Sequence, residues 1–304
     1  MTKWIFVPLI AAIFAIDLLA LLLFIVQPQY AAVLFARLRM PSECALSELL
    51  REAKVAKEAA QSAGQPRLER SEEGLDLWNT QQGKIWTIHG DSILSFLLDE
   101  QLRDIYELPG HEIGKGDIVL DCGANIGIFT RTALARGASL VVAIEPAPQT
   151  LKAFRRNLET EIRQGRVIVY PKGAWDHDAE MDLNIDEINQ AANTLVTPVK
   201  ERMSKVRVPL TTIDKIVAEL KLTRVDFIKM DIEGAEKPAL KGAENTIKRF
   251  RPRMSLSSEH LADDFTAIPA LVRSLEPSYR YRGCDCDIRQ RRLKALVLAF
   301  DPAS

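Results

Sequence analysis

The residues best suited to chemistry follow two apolar stretches near the middle of the chain. Residues 117–131 read Asp-Ile-Val-Leu-Asp-Cys-Gly-Ala-Asn-Ile-Gly-Ile-Phe-Thr-Arg, a strand-type run that ends at Asp121 and enters a turn with two glycines. Such a turn lets backbone N–H groups and a helix N-terminus approach a ligand closely. A second apolar run, residues 140–144, ends at Glu145, and a carboxylate there can accept hydrogen bonds from both ribose hydroxyls. The pattern predicts a site for a nucleoside-containing cofactor.

The spacing of the glycines narrows the choice of cofactor. Turns that bind NAD carry G-x-G-x-x-G and cradle a pyrophosphate, whereas here Asp121 precedes Gly123 and Gly127 in the order Asp-x-Gly-x-x-x-Gly. An acid at this position attracts a cation and repels a pyrophosphate. S-adenosylmethionine (SAM) has an ammonium and a sulfonium but no phosphate. SAM is therefore the predicted cofactor, and an NAD-linked oxidoreductase is the disfavoured alternative.

A third segment, residues 225–236, contains another strand-type run that delivers Lys229, Asp231 and Glu233 at its end. Open α/β sheets bind ligands at this carboxyl edge. With the glycine turn and the Glu-Pro that follows the second strand, the segment Lys-Met-Asp-Ile-Glu-Gly-Ala-Glu resembles the FkbM family of SAM-dependent methyltransferases. The motifs of that family look like D-x-GANxGxxT, E-P and K-x-D-x-EGAE. The resemblance runs over about residues 78–300.

The resemblance implies a fold, a cofactor and a reaction. The implied fold is that of the class I methyltransferases, a doubly wound, mostly parallel, seven-stranded Rossmann-like α/β sheet with strand order 3-2-1-4-5-7-6. Strands that alternate with helices over short links predict a doubly wound sheet independently of the resemblance. The implied cofactor is SAM, and the implied reaction is usually O-methylation of a hydroxyl on a sugar or natural product.

The predicted cofactor-binding residues lie at the carboxyl ends of the central strands and on the loop after the third strand. Trp175 of that loop is predicted to contact the adenine, with a role as core filler as the alternative. The full set is Asp121, Gly123, Ala124, Asn125, Gly127, Thr130, Glu145, Pro146, Gly173, Ala174, Trp175 and Asp231.

The predicted catalytic residues are His260, Asp231, Lys229, Glu233 and Glu259. Methyl transfer to a hydroxyl needs an aligned acceptor and a group that removes its proton. His260 is the predicted base, because an unperturbed imidazole titrates near neutral pH, and Glu259 would orient it. Asp231 is predicted to contact the methionine end of SAM or the acceptor hydroxyl. The alternatives are a surface histidine at a strand end and a helix-capping role for Glu233.

A metal ion between Asp231 and Glu233 is chemically conceivable, but the family pattern does not require one, and no metal site is predicted. The four cysteines do not predict a disulfide framework in a chain of 304 residues. A formal net charge of −1 and a hydrophobic fraction of 47% indicate a globular body without the broad basic field of a nucleic-acid-binding scaffold. No nucleic-acid partner is expected.

Residues 4–26, from Trp4 to Val26, form an apolar segment long enough to cross a bilayer as a helix. A cleavable signal peptide is the rival interpretation, but no small-x-small site follows the segment. Arg37 and Arg39 lie after it and Lys3 before it, which favours a cytoplasmic catalytic domain. The predicted localisation is a single-pass membrane protein with the bilayer as a partner.

The predicted organisation has a transmembrane anchor at residues 1–29, a helical juxtamembrane segment and linker at 30–72, and a methyltransferase domain at 73–304. The predicted function is a membrane-anchored SAM-dependent O-methyltransferase acting on a saccharide, a glycolipid or another membrane-associated small molecule. The alternative is a non-catalytic SAM-binding scaffold. Intact Lys229, Asp231 and Glu233 speak against that alternative.

Overall fold

The computed structural model describes residues 28–39, 44–62, 64–186, 188–196, 203–289 and 292–303. The chain forms two compact units, one of Met1–Ser62 with Cys286–Lys294 and one of Ala63–Asp285 with Ala295–Ser304. The predicted membrane segment, residues 4–26, lies outside the described residues. Within the described ranges, no helix has the length and apolar character that a membrane span requires.

The first unit contains two helices that contact each other, α1 (Pro28–Arg39) and α2 (Leu46–Ser62). Helix α2 lies within residues 30–72, which include the predicted helical juxtamembrane segment. Leu49 and Ala59 are buried on it. Cys44, just before α2, is disulfide-bonded, which the cysteine content does not predict.

The second unit is an α/β domain. Its strands are β1 (Arg67–Glu72), β2 (Leu75–Thr80), β3 (Gly83–Ile88), β4 (Ile118–Cys122), β5 (Leu140–Ile144), β6 (Val167–Tyr170), β7 (Gly173–Ala174), β8 (Ala179–Asp186), β9 (Met203–Thr211), β10 (Phe227–Met230), β11 (Arg253–Ser257), β12 (Tyr279–Arg289) and β13 (Arg292–Pro302), the last two of which run partly into the first unit. Its helices are α3 (Leu94–Leu102), α4 (Ile128–Arg136), α5 (Pro148–Asn157), α6 (Glu159–Arg163), α7 (Ile213–Glu219), α8 (Glu236–Lys241), α9 (Glu244–Phe250) and α10 (Asp264–Leu275).

Seven strands form the central sheet in the order β12-β13-β11-β10-β4-β5-β6. Numbered along the sheet-forming chain, this is the predicted order 3-2-1-4-5-7-6, read from the opposite edge. Neighbouring pairs from β11 to β6 are parallel, and β13 runs antiparallel to β11. The structure therefore confirms the mostly parallel seven-stranded sheet. The central strands are buried on both faces, as their continuous apolar runs require.

Two small sheets flank the central one, with strand orders β1-β2-β3 and β7-β9-β8. Strands β2 and β3 form an antiparallel hairpin. Strand β1 is a correction, because it lies in the predicted helical segment and linker of residues 30–72. All six residues of β1 are exposed, and its sequence has no alternating apolar pattern that would indicate a strand. The pairing with β2 holds β1 in place.

Asn157, at the end of α5, joins that helix to two other segments. Its side-chain oxygen accepts from Trp86 N at 2.7 Å, and its side-chain nitrogen donates to Trp86 O at 2.9 Å and to Ile126 O at 2.8 Å. Ile126 belongs to the glycine turn after β4. Asn157 is therefore a structural bridge behind that turn.

We expect Asn157→Ala to lower the free energy of unfolding by about 2 kcal/mol, because three backbone groups lose their partner. Urea unfolding of the full-length protein measures this change. The exposed Gln164→Ala provides the control, with an expected change within about 0.5 kcal/mol. Equal stabilities of the two variants would contradict the bridging role.

Candidate active site at the carboxyl edge of the central sheet

The turn after β4 adopts left-handed backbone conformations at Gly123, Asn125 and Gly127, with φ of 76°, 49° and 92°. A Cβ atom on Gly123 would lie 1.9 Å from the backbone oxygen of Asp231. Glycine is required there because the turn approaches the segment after β10 so closely. A Cβ on Gly127 would lie 2.6 Å from Leu158 Cδ1. Gly127 thus serves the packing of the turn on the helices behind it.

Asp121 lies beneath this turn and is fully buried. The register of β4 and β10 places it beside Lys229, whose Nζ is 3.5 Å from Asp121 Oδ1. Thr130 Oγ1 donates to Asp121 Oδ2 at 2.6 Å. Burial raises the pKa of Asp121 although Lys229 and Thr130 oppose that shift. Asp121 and Thr130 are therefore buried structural residues beneath the turn. This position corrects the expectation that Asp121 contacts the cationic end of the cofactor.

Glu145, after β5, holds the turn from the other side. Its Oε2 accepts from Asn125 N at 3.0 Å and its Oε1 accepts from Ala147 N at 2.9 Å. The residue is 7% exposed, and burial raises its pKa to about 7. Each carboxylate oxygen has a second lone pair that remains available to a ligand hydroxyl.

A cavity with about 540 Å³ of empty space, part of it open to solvent, lies beside Glu145, and we call it the first cavity. Among the described residues that line it, three are carboxylates and none is lysine or arginine. The lining is Gly123, Asn125, Ile144, Glu145, Pro146, Gly173, Ala174, Leu183, Gln190, Ala191, Asn193, Leu195, Asp231, Ile232, Glu233 and Ala235.

The chemistry of this lining fits SAM. A ribose can meet Glu145, an adenine can lie against Pro146, Ala174 and the aliphatic side chains, and the carboxylates of Asp231 and Glu233 suit the cationic end. A pyrophosphate would face these carboxylates without a lysine or arginine from the described lining. The charge that selects a cation thus comes from residues other than Asp121.

Trp175 does not belong to the first cavity. Its side chain is half-buried and packs on a small apolar cluster of Ala147, Leu183, Val208 and Leu210. Trp175 thus has the position of a core filler, which is the alternative to the predicted adenine contact. The segment between β8 and β9 also lines the first cavity, through Gln190, Ala191, Asn193 and Leu195.

A second cavity of about 630 Å³ adjoins the first, and the two share Gly123, Asn125, Ala191, Asp231 and Glu233. Its other lining residues are Phe96, Leu97, Glu100, Gln101, Tyr106, Ala124, Ile128, Phe129, Lys229, Glu259 and His260. The predicted catalytic residues all lie on this lining. The carboxylates of Asp231 and Glu233 stand at the junction of the two cavities.

Tyr106 is a site residue that sequence reasoning misses. Its hydroxyl donates to Asp231 Oδ2 at 2.6 Å, and its ring lies 5.3 Å from Lys229 Nζ. Ser255 Oγ donates to Tyr106 O at 2.6 Å, and the buried His111 ring contacts Ser255 Oγ at 3.0 Å and Asp301 Oδ1 at 2.6 Å. These contacts give the buried hydroxyl of Ser255, on β11, hydrogen-bond partners.

His260 is surrounded by acids. Its Nδ1 lies 3.1 Å from Glu236 Oε1, and its Nε2 lies 3.5 Å from Asp231 Oδ1 and 3.6 Å from Glu233 Oε1. Burial lowers the pKa of an imidazole, but hydrogen bonds to Glu233 and Glu236 outweigh this and raise the pKa of His260 to about 12. His260 is therefore protonated at neutral pH. Its assignment as the base assumes an imidazole that titrates near neutral pH, and this assumption does not hold among these acids. Glu259, which is exposed, is not among these close partners.

Residues 121–282 match the family described as the methyltransferase FkbM domain. Over 178 residues the chain is 26% identical to the 31-O-demethyl-FK506 methyltransferase FkbM of Streptomyces tacrolimicus, covering 49% of this chain and 68% of that protein. Over 196 residues it is 26% identical to the 2-O-methyltransferase NoeI of Sinorhizobium fredii, covering 58% and 80%.

Other relatives are matched over a smaller part of their length. The chain is 29% identical over 146 residues to Methyltransferase 1 of Beauveria bassiana, a match of 42% of this chain and 58% of that protein. Among solved structures, the methyltransferase FkbM of Methylobacillus flagellatus superposes with a TM-score of 0.45 and 20% identity, over 84% of this chain and 60% of that one.

Proposed function

Because the chain belongs to the FkbM methyltransferase domain family, with SAM as its cofactor, we propose that it methylates a hydroxyl of a small acceptor molecule. The observation that carries this proposal is the pair of adjoining cavities, one suited to SAM and one lined by the predicted catalytic residues. Two relatives whose names specify O-methylation support the choice of a hydroxyl.

When bound, SAM supplies a methyl group on a sulfonium, which an oxygen nucleophile can displace in line. The first cavity would hold the cofactor through Glu145, Asn125 and the backbone around Gly173. The second cavity would hold the acceptor, with Phe96 and Leu97 against its apolar part. Water exclusion by this apolar wall strengthens each polar contact inside.

Glu233 is the residue that we assign to removal of the acceptor proton. Its carboxylate lines both cavities, so it faces the place where the two substrates would meet. Asp231 also lines both, but its carboxylate already accepts from Tyr106 and faces His260. Asp231 and Tyr106 would orient the acceptor, and Lys229 would keep Asp231 ionised, because its charge and that of His260 outweigh burial and lower the pKa of Asp231.

The acceptor class and the cellular address are further parts of the proposal. Residues 4–26 support an anchor in a membrane with the catalytic domain in the cytoplasm, where a saccharide, glycolipid or other membrane-associated molecule would be the acceptor. The apolar rim of the second cavity, which includes the 53% exposed Phe96, is compatible with an acceptor that has an apolar part.

The test is incubation of the full-length protein with methyl-labelled SAM and a fractionated cell extract. We expect label in a saccharide or lipid fraction, and at least tenfold slower transfer by Glu233→Gln. Asp182→Asn, an exposed carboxylate on β8, is the control and should keep the wild-type rate. SAM binding without transfer to any fraction would favour the non-catalytic scaffold instead.

A further inference from the structure

Asp231, Glu236 and His260 place one ligand atom each within 4.8 Å of one another. Asp231 follows β10, Glu236 begins α8 and His260 follows β11, so the carboxyl ends of two adjacent strands bring them together. Two carboxylates and an imidazole in such proximity are typical ligands of a divalent cation. Proximity of acids does not by itself define a site, so the state of each ligand atom matters.

Glu236 provides the second observation. The residue is fully buried. Its Oε1 accepts from Ile232 N at 2.9 Å and contacts His260 Nδ1 at 3.1 Å, whereas its Oε2 is buried and has no hydrogen-bond partner among the described residues. A buried carboxylate oxygen without a donor is destabilising. A cation bound at this oxygen would remove that penalty.

The charge balance of the cluster points the same way. Three carboxylates, those of Asp231, Glu233 and Glu236, lie within 3.6 Å of the His260 ring. Three carboxylates around one imidazole leave an excess of negative charge in either protonation state of the ring, and a bound cation would replace the proton on the ligating ring nitrogen. Lys229, the nearest lysine on the second cavity, already lies 3.5 Å from Asp121, so it is shared with another acid. Excess buried charge of this kind is stabilised by metal coordination.

We infer that Asp231, Glu236 and His260 form a site for a divalent cation of the Mn²⁺ type. Carboxylate oxygens suit Mg²⁺, Ca²⁺ and Mn²⁺, and an imidazole shifts the preference towards first-row transition ions. Ligand atoms no more than 4.8 Å apart can all contact one ion at a metal–oxygen distance of roughly 2.4 Å. The sequence predicts no metal site, and the acids that it suggests as metal ligands are Asp231 and Glu233. Glu236 and His260 are the ligands that the fold adds.

The place of the site suggests its use, and this step rests on the proposed function. Asp231 and His260 line the second cavity, so an ion held between them would contact an acceptor in that cavity. A divalent ion binds a hydroxyl oxygen and lowers the pKa of that hydroxyl. Glu233, which lines the same cavity, would then receive the proton from a more acidic group.

The test is a titration of the chelator-treated full-length protein with Mn²⁺ alone. The electron paramagnetic resonance signal of free Mn²⁺ measures how much of the ion is bound. We expect one saturable site in the wild type and at least tenfold weaker binding by Glu236→Gln. Glu180→Gln is the matched control, because Glu180 is an exposed carboxylate on β8 that lines neither cavity, and it should bind Mn²⁺ like the wild type.

Absence of saturable Mn²⁺ binding, or equal affinity of Glu236→Gln and the wild type, would overturn the site. If Glu236→Gln fails to fold, His260→Gln replaces it with the same expected loss, since His260 retains 10% side-chain exposure. SAM binding is measured on the same samples without metal. Binding of Mn²⁺ without binding of SAM would count against the proposed function alone. Binding of SAM without binding of Mn²⁺ would count against the metal site alone.

Discussion

Glu145→Gln is expected to weaken SAM binding about 100-fold. Both Glu145 oxygens accept backbone N–H groups, from Asn125 and Ala147, and the ribose hydroxyls would use the remaining lone pairs. Glutamine replaces one oxygen by an amino group, which would face a backbone donor and cannot accept from a hydroxyl. Loss of hydrogen bonds to a charged group is worth roughly 1.5–3 kcal/mol, and 1.4 kcal/mol corresponds to a factor of ten.

The same carboxylate predicts a pH dependence. Burial raises the pKa of Glu145 from its ordinary value of 4.5 to about 7. The protonated form therefore stabilises the ligand-free protein at low pH, and this contribution is lost as the pH rises through about 7. A ribose hydroxyl donates to the ionised form, so SAM affinity should increase from pH 6 to pH 8, by up to about tenfold.

Isothermal titration calorimetry at the two pH values measures both effects. Glu145→Gln should show weak binding that no longer changes between pH 6 and pH 8. Glu180→Gln, an exposed acid on β8, is the control and should follow the wild type. Wild-type affinity in Glu145→Gln would remove Glu145 from the cofactor site.

Lys229→Met is expected to lower the free energy of unfolding by about 3–5 kcal/mol, because it leaves the fully buried Asp121 without its counter-charge. Lys229 Nζ also donates to Gly123 O at 2.8 Å, so the glycine turn loses a fixed contact. Burial lowers the pKa of a lysine, but the charges of Asp121 and Asp231 outweigh it and raise the pKa of Lys229. Lys229 is therefore protonated in the folded protein, and its charge opposes the effect of burial on the pKa of Asp121.

Urea unfolding of the single variants and of the Lys229→Met/Asp121→Asn double variant tests this pair. The double variant should be more stable than Lys229→Met alone, because it removes the unpaired charge. Lys241→Met, on the exposed face of α8, should change the stability by less than about 0.5 kcal/mol. A Lys229→Met stability within about 1 kcal/mol of the wild type would contradict a charged buried pair.

The parts of the fold that follow from local sequence are predictable. Continuous apolar runs identify β4, β5 and β10, and the acids or glycines that end each run mark the carboxyl edge of the sheet. Glu145, Asp231 and the Gly123 turn meet at that edge because parallel strands end on the same side. The resemblance to the family adds the strand order, which periodicity alone does not contain.

The parts that depend on distant contacts are not predictable from one sequence. Tyr106 meets Asp231 across 125 positions of the chain, without a motif of its own. The burial of Asp121 under Lys229 depends on strand register. The altered pKa of His260 depends on acids that approach from the segment after β10. In each case the residue type suggests a role, and the neighbours change it.

The most direct test of whether the first cavity binds a cationic methyl donor is calorimetric titration of the full-length protein with SAM and, separately, with NAD. The structure leads us to expect one SAM per chain and no detectable binding of NAD. Glu145→Gln should weaken the SAM signal in the same experiment. Binding of NAD in place of SAM, or no binding of SAM at neutral pH, would contradict the assignment of the first cavity.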